Sequence, residues 1–448
     1  METAALLQKY NVAAPRYTSY PTVPYWDPTT FSPEKWISAV QKIYTDHEED
    51  GISLYIHLPY CESLCTYCGC NTRITKNHAV ELPYINAILA EWKMYQNLLG
   101  STPNIKELHL GGGTPTFFKP DNLKILIEGI LSGVEVSPDA TFSFEAHPAN
   151  TTEAHLRTLH HLGFKRLSLG IQDFDPKVQM MINRFQTPQQ VTTIMRQARA
   201  IGFDSINFDL IYGLPAQNIS GLSETIEAVI EMKPDRIAFY SYAHVPWLKP
   251  GQRHYTVEDL PAGSEKFALY QMGKKMLMEA GYEDVGMDHF ALETDTLFTA
   301  SAEKKLHRNF MGYTDQHTHL LIGLGVSSIS DSWNAFGQNP KSVETYLDKI
   351  NAGLLPVEKG HLLSEEDLEI RQHILNIMCR ENTSYPEEIP EAVVKRLSPL
   401  IKDQLIQVCG KEINITQTGK LFLRNVCMAF DEKLWAKQPE TKLFSAAI

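Results

Sequence analysis

Cys61-Glu62-Ser63-Leu64-Cys65-Thr66-Tyr67-Cys68-Gly69-Cys70 places four of the chain's seven cysteines within ten residues, spaced C-x3-C-x2-C-x-C. An odd cysteine total crowded in this way is unlike the spaced pairs of a secreted disulfide framework. In a reducing compartment such a cluster points to metal or redox chemistry. Structural zinc held by four cysteines pairs two knuckles across a longer interval, and sterics oppose Cys68 and Cys70 both joining the other two on one metal. A short loop of thiolates suits an iron–sulfur cluster, in which three protein ligands on a four-iron cube leave one iron open to a substrate or cofactor. Unliganded structural thiols are the bland alternative.

Working outward, strand-like runs recur, each followed by a helical pattern: Leu54-Tyr55-Ile56, then residues 107–110, 141–144, 166–169, 206–210 and 236–240. Amphipathic stretches such as 82–99, 121–131 and 188–201 separate them. Asn150-Thr151-Thr152-Glu153 has the spacing of a capping box. Six βα units predict a parallel sheet with right-handed crossovers. Curled into a full or partial barrel, such a sheet carries its chemistry at the C-terminal ends of the strands. That rim would hold the cysteine loop, Gly111-Gly112-Gly113-Thr114, Glu145, Gln172, Asp209 and Ala243-His244. The apolar run 320–326 predicts a further strand. Beyond Ser364-Glu365-Glu366-Asp367, another capping signature, the pattern is mostly helical to about Leu405, then strand-like over Glu412-Ile413-Asn414-Ile415 and helical again through Arg424. The expected architecture is α/β: an N-terminal arm or lid (1–50), a partial (β/α)6 barrel with an extension (51–345), and a small, mostly helical, winged-helix-like C-terminal domain (346–448).

With 448 residues and 43% hydrophobic content the chain has ample material for a large core. It contains no stretch approaching the roughly 20 apolar residues of a membrane helix. Met1-Glu2-Thr3-Ala4 lacks the features of a signal peptide, so a cytoplasmic protein is expected. The formal net charge of −12, with both signs interspersed and no Lys/Arg block, disfavours a nucleic-acid surface. A basic pocket inside an acidic protein is compatible with it. Pro15-Arg16-Tyr17-Thr18-Ser19-Tyr20-Pro21 reads as an extended arm, since each proline disfavours helix before it; surface tail and functional lid both fit. Cys379, Cys409 and Cys427 lie in apolar or helical surroundings, where a buried, unreactive thiol is expected.

The spacing C-x3-C-x-aromatic-C, with Tyr67 as the aromatic, resembles the signature of the radical S-adenosylmethionine enzymes. The arm 15–21, Cys70 after Gly69, residues 111–116, Gly170-Ile171-Gln172-Asp173-Phe174, residues 209–215, residues 286–291 and His307-Arg308-Asn309 together resemble the oxygen-independent coproporphyrinogen III oxidases. Arg424-Asn425-Val426-Cys427 adds a weaker match. The resemblance runs from the arm to about residue 330. It implies a radical-SAM barrel with Cys61, Cys65 and Cys68 as ligands of a [4Fe–4S] cluster. Tyr55, Tyr67, Gly112, Gly113, Thr114, Glu145, Gln172, Arg184, Asp209, Ala243 and Ile329 would line the S-adenosylmethionine region. It further implies a second S-adenosylmethionine, served by Gln172, Arg184 and Asp209 among others. Read on their own, glycines let backbone approach a ligand closely, Glu145 and Asp209 accept hydrogen bonds from an ammonium or a ribose hydroxyl, and Arg184 pairs with a carboxylate. Tight turns, helix N-terminal acids and a solvated arginine are the structural alternatives.

Coproporphyrinogen III, the substrate the resemblance implies, carries four propionates, so its pocket calls for cationic or hydrogen-bonding groups. Arg16, His289, His307 and Arg308 are candidates, with Tyr17 and Tyr20 of the arm packing on the macrocycle. The implied reaction converts two propionates to vinyl groups through a 5′-deoxyadenosyl radical, giving protoporphyrinogen IX. It requires an electron donor and an electron acceptor, in a monomeric enzyme. The rivals are a haem chaperone and a radical enzyme acting on haem. The chaperone relatives generally lack both the arm and the extra cysteine, the arm argues against both rivals, and the sequence leaves the role of Cys70 open.

Overall fold

Period-two alternation within the predicted strands determines what the sheet encloses. The computed structural model describes residues 3–437 and 443–445. Six strands, β1 (Ile52–Leu58), β2 (Asn104–Gly112), β3 (Glu135–Ala146), β4 (Arg166–Gln172), β5 (Ser205–Tyr212) and β6 (Arg236–Ser241), pair in parallel in chain order. The run near 320 supplies β7 (Leu321–Leu324), parallel to β1 on its other side. Antiparallel strands extend both edges, Ile329–Asp331, Ala335–Gln338 and Lys359–Leu362 beyond β7, and His289–Leu292 with Tyr282–Gly286 beyond β6. The sheet is therefore an open, partial barrel of twelve strands.

One face of each strand is apolar. Leu54, Ile56, Leu108, Leu110, Phe142, Phe144, Leu167, Leu169, Phe208 and Phe239 pack under the helices in the main core. The alternate residues face inward, and register aligns them: Tyr55 opposite His109, His109 opposite Ser143, Glu145 opposite Ser168, Ser168 opposite Asn207, and Gly170 opposite Asp209. A barrel filled by branched apolar side chains would have a solid interior. Here the lumen is polar and keeps a cavity of about 260 Å³ lined by His109, Glu145, Ser168, Asn207, Asp209, Tyr240 and His289.

Local signals placed the helices. Pro188–Ile201 begins at Thr187, whose hydroxyl caps Gln190 N while Gln190 caps back, and it ends at left-handed Gly202. Glu153–His161 begins at Thr152, with His155 as the reciprocal partner. The capping box thus sits two residues later than the Asn150–Glu153 spacing indicated. Glu153 occupies the first helical turn, where its charge suits the helix dipole.

The barrel sheet and its core continue past residue 345. Tyr346, Ile350 and Val357 belong to the main core, and Lys359–Leu362 pairs with Ala335–Gln338. The C-terminal part combines Glu365–Arg380, Glu391–Lys402 and Leu423–Met428 with a three-stranded antiparallel sheet of Asn382–Ser384, Glu412–Ile415 and Ile406–Cys409. Its core takes in Leu6, Tyr10, Tyr17 and Tyr20 of the N-terminal segment. That segment opens with a helix, Thr3–Tyr10, before the chain becomes extended. Cys379 and Cys427 are buried as expected, whereas Cys409 is exposed at the end of its strand. No helix among the described residues is long and apolar enough to cross a membrane.

Candidate active site

β1 ends at Leu58, and the cysteine loop that follows is pinned from several directions. Gly113 N donates to Leu58 O at 2.8 Å and Thr114 N to Tyr60 O at 3.1 Å, which lays the glycine turn after β2 against the loop's start. Thr66 hydrogen-bonds through N and Oγ1 to the carbonyls of Ile182 and Met181 (3.0 and 2.9 Å), and Asn183 Nδ2 donates to Leu64 O at 2.8 Å. Gln252, 1% exposed, donates from Nε2 to both Tyr67 O and Ala243 O, joining the loop to the segment after β6.

The loop and the strand ends close around one cavity of about 260 Å³. It is lined by Cys61, Cys65, Tyr67, Cys68 and Cys70 together with Gly112, Gly113, Thr114, Glu145, Gln172, Arg184 and Asp209. Tyr55 lies just beneath it: a Cβ on Gly111 would meet the Tyr55 ring at 2.9 Å and Glu145 Oε1 at 3.1 Å. Ala243 joins through Gln252 rather than by lining the cavity. Ile329 stands apart from the lining, at the start of the strand Ile329–Asp331, where its carbonyl leaves no room for a Cβ on Gly323.

All four loop thiols are free. Thr114 Oγ1 lies 3.3 Å from Cys61 Sγ, Arg184 Nη1 donates to Cys65 Sγ at 3.6 Å, and Cys70 N donates to Cys68 Sγ at 3.4 Å. Burial pushes the Cys61 thiol up to about 12, while hydrogen bonding from Cys70 brings Cys68 down to about 6. A cation that coordinates these sulfurs must displace the Cys61 proton. Cys70 takes the opposite share of the Cys68 pairing and is held protonated.

These residues fit an iron–sulfur cluster and its cofactor. Arg184 Nε is buried without a partner among the described residues. A Cβ on Gly113 would stand 2.6 Å from Pro59 O and 3.0 Å from Cys61 Sγ, so only glycine admits the cysteine there. Glu145 accepts from Gly112 N at 3.3 Å. Asp209 accepts from Ser168 Oγ (3.0 Å) and Asn207 Nδ2 (2.8 Å), and burial, reinforced by the nearby Glu145 charge, pushes its carboxyl up to about 6. Two carboxylates facing the cavity, Glu145 and Asp209, both partly exposed, beside an incompletely paired arginine match the ammonium and carboxylate of an amino-acid ligand.

Glu145, Ser168, Asp209 and Tyr240 line both this cavity and the lumen below it. His289 faces the lumen; its Nδ1 meets Met287 O at 2.8 Å and its Nε2 meets the Tyr240 hydroxyl at 3.3 Å. Burial pushes His289 down to about 4, so the imidazole is neutral. Arg308 lies over the Tyr313 ring, 4.5 Å from its centroid, and donates to Arg16 O at 3.4 Å, but its Nε and Nη1 are buried without acceptors among the described residues. Arg16 donates to Ser241 O at 2.7 Å, at the end of β6. Thus Arg16, His289 and Arg308 converge near the lumen.

The other three substrate candidates do not. His307 lines a separate cavity at the N-terminal ends of the strands, with His317 and His319. Alternation along its strand turns it away from Arg308. Tyr17 and Tyr20 are 2% and 1% exposed inside the C-terminal core, and the Tyr17 hydroxyl donates to Asp431 at 3.0 Å. They anchor the arm instead of presenting aromatic faces to a ligand. Sequence reasoning also missed Gln252, Tyr240 and Asp288, the acid on which Arg16, Arg424 and Arg308 all act. Tyr240 was accessible from strand alternation, whereas Gln252 sits in an irregular loop with no periodic signal.

Residues 55–229 match the Radical SAM superfamily. The chain is 35% identical to an oxygen-independent coproporphyrinogen III oxidase of Synechocystis sp., over 100% of this chain and 98% of that protein. It is 36% identical to the Escherichia coli protein of the same name, covering 97% and 96% of the two chains. A solved structure of coproporphyrinogen III oxidase from Escherichia coli, described as a radical SAM enzyme, superposes with a TM-score of 0.89 at 34% identity, covering 96% of this chain and 98% of that one.

Proposed function

Because the chain belongs to the oxygen-independent coproporphyrinogen III oxidases of the radical SAM superfamily, we propose that it decarboxylates two propionates of coproporphyrinogen III to vinyl groups, giving protoporphyrinogen IX. One observation carries this reading: the three signature thiols share a single cavity with the ends of β2 to β5, and that cavity shares Glu145, Ser168, Asp209 and Tyr240 with a polar lumen below it. When bound, the [4Fe–4S] cluster and S-adenosylmethionine supply the hydrogen-abstracting radical.

The protein's own residues bind, orient and exclude water. Cys61, Cys65 and Cys68 hold the cluster, and the Thr114 hydroxyl and Arg184 Nη1 hydrogen-bond the Cys61 and Cys65 sulfurs, an arrangement that tunes cluster potential. Gly112 and Gly113 keep the floor free of side chains. Glu145 and Asp209 would accept from the cofactor's ammonium and hydroxyl donors, and Arg184 would pair with its carboxylate. Gln172, Arg184 and Asp209 would equally serve a second S-adenosylmethionine. In the lumen, neutral His289 hydrogen-bonds at Nε2 without adding charge. Arg308, whose Nε and Nη1 have no acceptor among the described residues, binds a substrate propionate beside Arg16, since a buried guanidinium with unsatisfied donors is costly until an anion arrives. An electron donor and an electron acceptor complete the cycle.

The test is an anaerobic assay of cluster-loaded protein with reductant, S-adenosylmethionine and coproporphyrinogen III. Both 5′-deoxyadenosine and protoporphyrinogen IX are expected. Well-loaded protein that forms neither would sink the proposal.

A further inference from the structure

At the end of the barrel opposite the cysteine loop, two imidazoles from separate segments converge on one carboxylate oxygen. His47 caps the helix Pro33–Asp46, Asp50 lies just before β1, and His319 lies just before β7. His47 Nδ1 is 3.1 Å and His319 Nδ1 is 2.7 Å from the same Asp50 Oδ2, and the two rings stack with centroids 3.7 Å apart and 19° between planes. We propose that His47, Asp50 and His319 bind a divalent transition-metal ion, Zn2+ first among them, at the N-terminal rim of the barrel.

The donor chemistry selects the ion. Two imidazole nitrogens and one carboxylate oxygen, with water in the fourth position, suit tetrahedral Zn2+ at about 2.0–2.2 Å per bond. Calcium and magnesium take oxygen-dominated sites instead. The three donor atoms lie within 4.8 Å of one another, so a central ion requires small side-chain adjustments. Side-chain exposures of 37%, 42% and 23% leave the site open to exchange with solvent.

The seven residues of β1 separate this site from the cysteines by roughly 20 Å at about 3.3 Å per residue, so the metal takes no part in the radical chemistry. Its effect is to tie three segments, the end of the first barrel-packing helix and the entries to β1 and β7, into one unit. Ligand binding to the folded state alone then raises stability by mass action.

The experiment uses untagged, cluster-loaded protein freed of loose iron and titrated with Co2+ as a spectroscopic probe, alongside melting curves with and without Zn2+. Wild type is expected to take up one Co2+ per chain with visible ligand-field bands and to melt higher with Zn2+. The H47A/H319A double variant should lose both effects while keeping its iron, sulfide and 5′-deoxyadenosine formation. Asp50→Asn, which keeps the side-chain shape, should weaken Co2+ binding and serves if the double variant folds poorly. The proposal is overturned if wild type shows neither effect, or if the variants retain them unchanged.

Discussion

At the residue scale, the buried charges near the lumen make the sharpest predictions. Arg308 is 6% exposed, with Nε and Nη1 lacking acceptors among the described residues. Replacing it with Gln removes a charged hydrogen bond of roughly 1.5–3 kcal/mol to the propionate, so kcat/KM for coproporphyrinogen should fall about 10- to 100-fold, chiefly through KM. Iron content and S-adenosylmethionine binding should not change. Asp209 yields a pH signature, because burial and Glu145 raise its carboxyl to about 6. As pH falls through 6 the carboxylate is protonated, so S-adenosylmethionine binding, followed by calorimetry, should weaken there, and Asp209→Asn should abolish that dependence. Stability runs the other way. An acid whose folded pKa lies above its unfolded value near 3.8 favours folding at low pH, and that contribution is lost as pH rises from about 4 through 6. Cofactor-free Asp209→Asn should therefore melt higher than wild type at neutral pH, while binding the cofactor less well.

At the element scale, the βα units were readable because apolar periodicity marks strands and helices directly. The expected helices at 82–99, 121–131 and 188–201 form as Glu81–Leu99, Pro120–Leu131 and Pro188–Ile201. The rim residues followed from the rule that chemistry gathers at strand ends. Tertiary choices were not legible in the same way. Whether Tyr17 faces a ligand or a core depends on the helix Leu423–Met428 more than 400 residues later in the chain, and no local pattern carries that information. His307 and Arg308 are neighbours in sequence but point to different cavities, because a strand alternates its side chains. The β1–β2 junction offers a direct test. At Gly113 a Cβ would collide with Pro59 O and approach Cys61 Sγ, so Gly113→Ala should lower iron and sulfide per chain after reconstitution, with far-UV circular dichroism unchanged. Preserved full cluster loading would show that the loop tolerates the displacement.

At the scale of the whole molecule, the N-terminal segment packs against the C-terminal domain, and this holds the arm in place. Arg424 donates from Nε to Pro15 O at 2.9 Å and from Nη2 to Ala14 O, while Asn425 Nδ2 donates to Tyr10 O at 2.9 Å. Lys9 and Tyr10 both reach Asp403, and Trp26 stacks on Phe336 of the barrel sheet, 5.3 Å between centroids. Arg16 is therefore held over the end of β6 by contacts from the C-terminal domain, not by the barrel alone. This domain acts on the substrate side of the site while the cluster side is built entirely by barrel loops. Arg424→Met should separate the two functions. Hydrogen exchange over residues 10–20 should speed up and KM for the porphyrinogen should rise, because Arg16 loses its fixed backbone. Cluster content and S-adenosylmethionine affinity should match wild type, since no cysteine-loop contact involves the arm's clamp among the described residues. The ratio of 5′-deoxyadenosine to vinyl product should then climb, as cofactor cleavage proceeds with a poorly held substrate. Equal loss of cofactor binding and product formation would instead place the C-terminal domain in the cofactor site.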